Sequence, residues 1–352
     1  MVMLTRTLNL VQRRYGRPCQ VVGTGSWTPS TYAGNPDVAS VWSFHRHLPF
    51  LLDAAWWPVR HALRASAPGP VYIAERHYRQ LPRIRRMLRF AGVDPRRCVF
   101  LSDRPVKGPQ QDTEHLVDRM VALGLRTPAS VPAGDYPAPA AAALDGPRLY
   151  VLDSERAERD AWLRSQGFHG RELVLIQPGN HRSMGPRRAR WRRLNSDDKW
   201  WPIERWAELL QRMHHERADA VLLLRGSQEE VPMLGEIQAA ARLTSVATIG
   251  TTLRQLYALC EAAGSMVSVD TGPAHAAAAL STPLVVMYGA ESPSLWLPRT
   301  PTGSPVVGLG GPPASRRVDQ LSVEAVFGAW RTVAGFRPSQ QPPAAARAPQ
   351  AR

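Results

Sequence analysis

Residues 266–275 read Met-Val-Ser-Val-Asp-Thr-Gly-Pro-Ala-His and contain the change from a strand to a helix. The apolar run predicts a buried strand, Asp270 follows at its carboxyl end, and Thr271 and Gly272 open the helix. A helix N-terminus presents backbone N–H groups without helical partners, so the segment predicts an anion site suited to a diphosphate. The alternative is that Asp270 and Thr271 only cap the helix while His275 packs beneath it. For the cluster as a whole, we favour ligand binding.

Strands and helices alternate on both sides of this segment, which is typical of a parallel α/β sheet. In the second half of the chain the apolar runs predict five strands joined by short helical crossovers. These strands are 173–177, 220–224, 245–249, 266–269 and 284–288. The pattern is Rossmann-like, and such sheets bind their ligands outside the carboxyl ends of the strands.

The first half shows the same alternation more weakly. Its predicted strands are 19–22, 38–44, 71–74 and 98–101, and its predicted helices are 1–15, 79–90, 114–123 and 154–165. We therefore predict an α/β protein with two Rossmann-like domains facing across a cleft. The boundaries are 1–168, with a Pro/Ala-rich loop at 127–148, then 169–336, then a disordered tail at 337–352.

Composition fits two domains and restricts the function classes. The chain has 352 residues, of which 44% are hydrophobic, which excludes a disordered or collagen-like protein. The formal net charge is +15, yet only Lys107 and Lys199 are lysines among the 44 basic residues. An arginine excess beside abundant Ala and Pro indicates genomic composition as much as a binding face. We therefore expect anionic partners but no nucleic acid, since no recognition motif is present.

Lys199 belongs to a second motif. A predicted strand ends in Gln177-Pro178-Gly179-Asn180, where Gly179 would let a phosphate approach the backbone. An arginine-rich stretch follows and leads into Asp198-Lys199-Trp200-Trp201-Pro202. Where arginine replaces lysine so freely, a surviving Lys199 suggests a site that needs a compact point charge. A chance remnant at a helix start explains it about as well.

Three segments then occur in a familiar order: Lys-Trp-Trp-Pro-x-Glu-Arg-Trp-Ala at 199–207, Gly226 with Glu229-Glu230, and Asp-Thr-Gly-Pro-x-His at 270–275. Together they resemble glycosyltransferase family 9, the ADP-heptose:lipopolysaccharide heptosyltransferases. The resemblance is clear after residue 173 and weaker before it, where 34–38 and 115–119 also look like the family.

This resemblance implies a GT-B fold and transfer of a heptose from ADP-heptose to a lipopolysaccharide core or related glycan. Lys199 would contact the donor phosphates, and Glu230 (or Glu229) would contact the ribose. The diphosphate and sugar would be held by the residues of the opening segment, Asp270, Thr271, Gly272 and His275. Gly179 completes the predicted donor site. No cofactor and no metal site is expected, because fixed positive groups would neutralise the leaving diphosphate.

Two departures from the family leave alternatives open. The stretch 181–198 is longer than the usual turn, and Arg187, Arg188 and Arg190 in it suit either a phosphate-bearing acceptor or a solvated loop. In the family, the general base is an Asp that follows the first strand. In this sequence both the strand and the Asp would precede Met1, so we assign no catalytic residue and expect the first strand to be missing. The alternatives are a nucleotide-sugar or lipopolysaccharide binding protein without the base, and an enzyme for another nucleotide sugar.

The remaining expectations concern location. The three cysteines have no disulfide or metal spacing, and no apolar run reaches the roughly 18 residues that span a bilayer. We expect a cytoplasmic monomer. The basic run 76–97 is either a solvated face or a patch that contacts the inner membrane at its cytoplasmic side.

Overall fold

A computed structural model describes residues 1–45, 48–102, 114–132, 134–139, 146–180, 182–183 and 197–336. The strands, in chain order, are β1 (Cys19–Thr24), β2 (Val38–Phe44), β3 (Val71–Ile73), β4 (Cys98–Phe100), β5 (Leu173–Gln177), β6 (Val221–Gly226), β7 (Val246–Gly250), β8 (Ser265–Val269), β9 (Leu284–Tyr288) and β10 (Val306–Gly310). The helices are α1 (Leu4–Tyr15), α2 (Trp27–Tyr32), α3 (Trp56–Ala65), α4 (Leu81–Ala91), α5 (Leu116–Leu125), α6 (Asp153–Ser165), α7 (Ile203–Glu216), α8 (Val231–Ala241), α9 (Leu253–Ala262), α10 (Gly272–Ala279), α11 (Pro293–Trp296) and α12 (Val323–Ala334).

The second half is built on one six-stranded parallel sheet in the order β10-β9-β8-β5-β6-β7. β5, β8 and β9 are buried along their whole length because helices cover both faces, which is why they are rich in apolar residues. One face packs on α7, α8 and α12, the other on α9 and α10. The predicted Rossmann-like sheet is confirmed, with β10 as a sixth strand where five were predicted.

In the described residues of the first half, the strands form two separate two-stranded parallel sheets, β1 with β2 and β3 with β4. Phe44 of β2 packs in the cluster between β3, β4, α3 and α4, so this apolar core reaches both sheets, while a smaller cluster lies under β1 and β2. The missing first strand stays a prediction, since the described pairings are only those of β1 with β2 and of β3 with β4. The fold class is GT-B-like, with both halves α/β and parallel.

Several contacts join the halves. His115 Nε2 donates to the carbonyl of Leu297 at 2.8 Å, and Arg299 forms a two-pronged pair with Asp118. Helix α6 packs on α9 of the second half, where Arg156 binds Glu261. The boundary at 168 remains a prediction, since α6 precedes it in sequence while packing on the second half.

Candidate functional site

The two sequence motifs meet at the point where the strand order reverses. β5 pairs with β6 on one side and β8 on the other, and Gln177 lies opposite Ser268 in the ladder. The chain therefore leaves these neighbouring strands in different directions and opens a crevice at their carboxyl ends, where sheets of this kind bind ligands. Gly179 follows the first of these strands and Asp270 the second.

Lys199 reaches into this crevice and binds Asp270. Its Nζ donates to both the backbone carbonyl and Oδ2 of Asp270, each at 2.7 Å. The Lys199 side chain is 23% exposed and that of Asp270 only 8%. An ammonium has three N–H donors, so one remains for an anion after both bonds to Asp270 are made. Asp270 thus fixes the positively charged Lys199 ammonium at the entrance of the crevice.

Two aspartates hold the loop that carries Lys199. Asp197 Oδ1 accepts from the backbone N–H of Lys199 at 3.1 Å, and its Oδ2 accepts from Asn180 Nδ2 at 3.0 Å. Asp198 Oδ2 accepts from the backbone N–H of Ala290, just after β9, at 2.7 Å. Sequence reasoning did not single out these supports, although two adjacent carboxylates directly before the rare lysine were the available signal.

The N-terminus of α10 is open. The Thr271 side chain makes no capping bond to the helix and instead donates to the carbonyl of Val269 at 3.2 Å. A Cβ added at Gly272 would meet nothing within 4 Å. The capping alternative therefore does not describe Thr271, and Asp270 is engaged with Lys199. Pro273 has no N–H and the N–H of Ala274 donates to the carbonyl of Thr271 at 3.1 Å, so the place where an anion could approach the helix start is the open space beside Gly272.

His275 lies one turn into α10 and is electrically neutral. Removal from water lowers its pKa to about 4; the nearby carboxylate of Asp270 opposes this shift, and the amino group of Met1 and His115 favour it. At neutral pH the imidazole can offer a ligand a hydrogen bond but no charge.

Glu230 is buried, and both of its carboxylate oxygens accept hydrogen bonds from within the protein. Its Oε1 accepts from Ser183 Oγ at 2.8 Å and its Oε2 from the backbone N–H of Ser227 at 2.8 Å. A Cβ on Gly179 would lie 1.9 Å from Oε1, so only a glycine lets the carboxylate rest against this backbone. Glu230 thus ties the loop after β5 to the start of α8, whereas Glu229 is exposed. The ribose contact stays a prediction for either residue.

Arg225, at the carboxyl end of β6, was also missed. It is 4% exposed and donates to the Gln177 side chain, to the carbonyl of Gly226 and to Thr251 Oγ1, thereby joining the ends of β5, β6 and β7. Burial lowers the pKa of its guanidinium. A charged residue in an otherwise apolar strand was the signal available for it.

Other predicted residues lie elsewhere. Arg187, Arg188 and Arg190 fall outside the described residues. In the part of the chain that the structure describes, no three His, Cys, Asp or Glu side chains come together as a metal site. Over that same part, every helix is too short or too polar to cross a bilayer.

Comparisons with known proteins place this site in a family. A family model described as glycosyltransferase family 9 (heptosyltransferase) matches residues 152–320, which include Lys199, Glu230 and the Asp270 segment. Lipopolysaccharide heptosyltransferase 2 from Salmonella typhimurium is 32% identical over 190 residues, covering 52% of this chain. The chain spans about half the length of that curated relative, 48%.

Solved structures extend the likeness over both halves. The E. coli ADP-heptose lps heptosyltransferase II superposes with a TM-score of 0.65 at 19% identity and covers 95% of each chain. The E. coli heptosyltransferase WaaC with ADP gives a TM-score of 0.63 at 19% identity over 94% of this chain and 95% of that one. These identities support the fold, while the family model supports the motifs. Residues 152–320, which carry the motifs of the site, match glycosyltransferase family 9.

Proposed function

We propose that the protein is a glycosyltransferase that moves a heptose from ADP-heptose to a lipopolysaccharide core or related glycan. The observation that carries the proposal is the Lys199–Asp270 pair beside the open N-terminus of α10, at the reversal point of a parallel sheet. The Lys199 ammonium and the open helix start at Gly272 suit a diphosphate leaving group. Two of the similar solved structures, an ADP-heptose lps heptosyltransferase and a heptosyltransferase with ADP, support the choice of donor.

The reaction needs charge stabilisation at one end and proton removal at the other. An acceptor hydroxyl oxygen forms a bond to the anomeric carbon of the heptose, and the bond from that carbon to the β-phosphate oxygen breaks. The electron pair leaves with ADP, whose growing negative charge is stabilised by Lys199 and by the amide of Gly272 at the start of α10. The hydroxyl proton passes to a carboxylate base, which we assign to none of the described residues. The neutral His275 would donate a hydrogen bond to the donor.

Binding of ADP, measured by calorimetry, tests the assignment. We expect Lys199→Met to weaken ADP affinity about tenfold to a hundredfold, because a hydrogen bond to a charged group contributes roughly 1.5–3 kcal/mol. Asp270→Asn should weaken it as well by releasing Lys199. Arg164→Gln removes an exposed positive charge on α6 and serves as the control. ADP affinity that is unchanged in Lys199→Met would contradict the assignment.

Turnover separates an enzyme from a binding protein that lacks a base. With ADP-heptose and a lipopolysaccharide-core acceptor, the enzyme should release ADP only when both substrates are present. Thermal shifts with ADP-, UDP- and GDP-sugars then identify the donor. ADP binding without ADP release would favour the alternative of a nucleotide-sugar binding protein. We propose that the reaction takes place at the cytoplasmic face of the inner membrane.

A further inference from the structure

Large exposed apolar side chains are concentrated on one surface of the first half. Ten such residues are exposed in the described chain, and five of them lie on or beside α3 and α4: Leu48, Leu51, Leu52, Trp57 and Phe90. Leu52 is 75% exposed and Trp57 62%. Single exposed apolar residues are ordinary, but a cluster of this size marks an interaction surface. We call these five residues the apolar face.

Aromatic contacts join the members of the apolar face. The buried Phe50 ring lies 4.7 Å from Trp56 and 5.9 Å from Phe90, so it connects α3 to the last turn of α4. Leu51 and Leu52 follow Phe50 directly, and Trp57 follows Trp56. The short turn Phe50–Leu52 therefore rests on the helix pair and points its leucines outward.

Arginines surround this face. The two helices α3 and α4 contain six arginines and no Asp or Glu. Arg60 stacks over Trp57 at 5.9 Å and donates to the carbonyl of Phe90, while Arg86 stacks over Phe90 at 5.8 Å. Arg83 donates to the carbonyl of Leu48 at 2.8 Å. The guanidinium groups thus lie at the level of the aromatic rings, beside the apolar side chains.

The carboxylate of Asp53, which directly follows Leu52 in the chain, is turned inward. Asp53 is 3% exposed, and its oxygens accept from the backbone N–H groups of His45 at 2.6 Å and Ala55 at 3.0 Å. These bonds lower the pKa of Asp53 against the effect of its burial. Helices α3 and α4 themselves therefore contribute apolar and positive side chains but no carboxylate to this surface.

We propose that the apolar face and its arginines dock the protein on a bilayer that contains anionic lipids. Leu and Trp side chains would enter the boundary between headgroups and acyl chains, where amphipathic surfaces bury roughly 5–10 Å deep. The arginines would lie at the phosphates, each strengthening binding by charge. Three exposed leucines have no role in holding a nucleic-acid backbone, and a protein partner would need carboxylates to match the arginines. This inference does not depend on the sugar or on transfer.

Flotation with lipid vesicles tests the docking surface in the full chain. We expect wild-type protein to float with phosphatidylcholine vesicles containing 30% phosphatidylglycerol, and not with phosphatidylcholine alone. The double variant Leu52→Ser/Trp57→Ser should reduce partitioning about tenfold or more. Arg86→Gln/Arg89→Gln should reduce it roughly fivefold per arginine and weaken its dependence on salt. All four side chains are exposed, so circular dichroism should report an unchanged fold.

Matched variants elsewhere are the controls. Trp27→Ser removes another exposed tryptophan, 47% accessible and on α2, and Arg164→Gln removes another exposed arginine; both should float like wild type. The proposal is overturned if wild-type protein stays in solution with both vesicles, or if the Leu52/Trp57 variant floats unchanged. It is also overturned if that variant instead dissociates a dimer in sedimentation, since the face would then bind a second copy.

Discussion

Gly179 and Glu230 show how one missing Cβ shapes the site. The Glu230 carboxylate lies where a side chain at residue 179 would begin. We expect Gly179→Ala to push Glu230 away from Ser183 and to lower the free energy of unfolding by about 1–3 kcal/mol, as overpacking does. Denaturant unfolding measures this change. Gly235→Ala is the control, because its Cβ meets nothing within 4 Å in helix α8 and should stabilise by about 0.5–1 kcal/mol.

His275 should make stability depend on pH. Its pKa is about 4 in the folded protein against 6.5 for the ordinary side chain, so the unfolded chain binds the proton more tightly. Stability is therefore complete above about pH 6.5 and falls as the pH drops towards 4, by at most ~3 kcal/mol. We expect His275→Gln to flatten the unfolding free energy between pH 4.5 and 6.5. Equal pH slopes in the two proteins would show that the imidazole titrates normally.

At the residue scale, site residues with an unusual type or sequence pattern were easier to predict than the buried residues that hold the site loops in place. Lys199 was singled out because lysine is rare here, and the Asp270 segment because a strand meets a helix. Arg225 was missed because its partners, Gln177 and Thr251, come from other strands and are neighbours only after the sheet forms. The engagement of Glu230 with Ser183 is equally invisible in sequence.

At the element scale, buried parallel strands were predicted best. β5 and β9 have the predicted bounds, since both are uninterrupted apolar runs. Helix α3 was missed because Trp56-Trp57-Pro58 hides its helical period, although proline is tolerated in a first turn. Strand β10 was missed because Gly308 and Gly310 weaken its strand pattern at the sheet edge. The strand order, and with it the crevice, followed from the Rossmann-like pattern.

Arg254 connects three elements. It donates to both oxygens of Glu155 on α6, at 2.6 and 2.5 Å, and to the carbonyls of Ser30 at the end of α2 and of Tyr150. Both charged side chains are only about one-sixth exposed, 16% and 15%. We expect Arg254→Ala to lower the free energy of unfolding by roughly 2–4 kcal/mol, because Glu155 would be left without its counter-charge.

A surface arginine gives the comparison for Arg254. Arg212 pairs with Glu208 and Glu324 on exposed helix faces, where ion pairs contribute little. Arg212→Ala should therefore leave the melting temperature close to that of wild type under the same conditions. If the two variants melt alike, the contacts of Arg254 between α6, α9 and α2 do not stabilise the fold.

At the scale of the whole molecule, the net charge of +15 has no single meaning. Arg225 and Arg254 are structural, because each joins separate elements. Arg97, within the run that sequence reasoning offered as a membrane patch, is buried and donates to the carbonyl of Gly69. Of the arginines that surround the apolar face, Arg83 and Arg86 on α4 belong to that run, whereas Arg60 lies on α3. The net charge alone therefore cannot identify a binding surface, whereas the positions of the arginines on α3 and α4 do.

The two halves should respond together to a ligand of the second half. His115 caps α5 by accepting from the backbone N–H of Val117, and its other nitrogen donates across to Leu297, near the α10 crevice. If ADP orders the crevice, hydrogen exchange of α5 amides should slow when ADP is added. In His115→Asn the cap is kept but the shorter side chain cannot reach Leu297, so this slowing should disappear while ADP affinity stays within about twofold. Protection of α5 that ADP leaves unchanged in wild type would mean that the bond holds the halves together without coupling them.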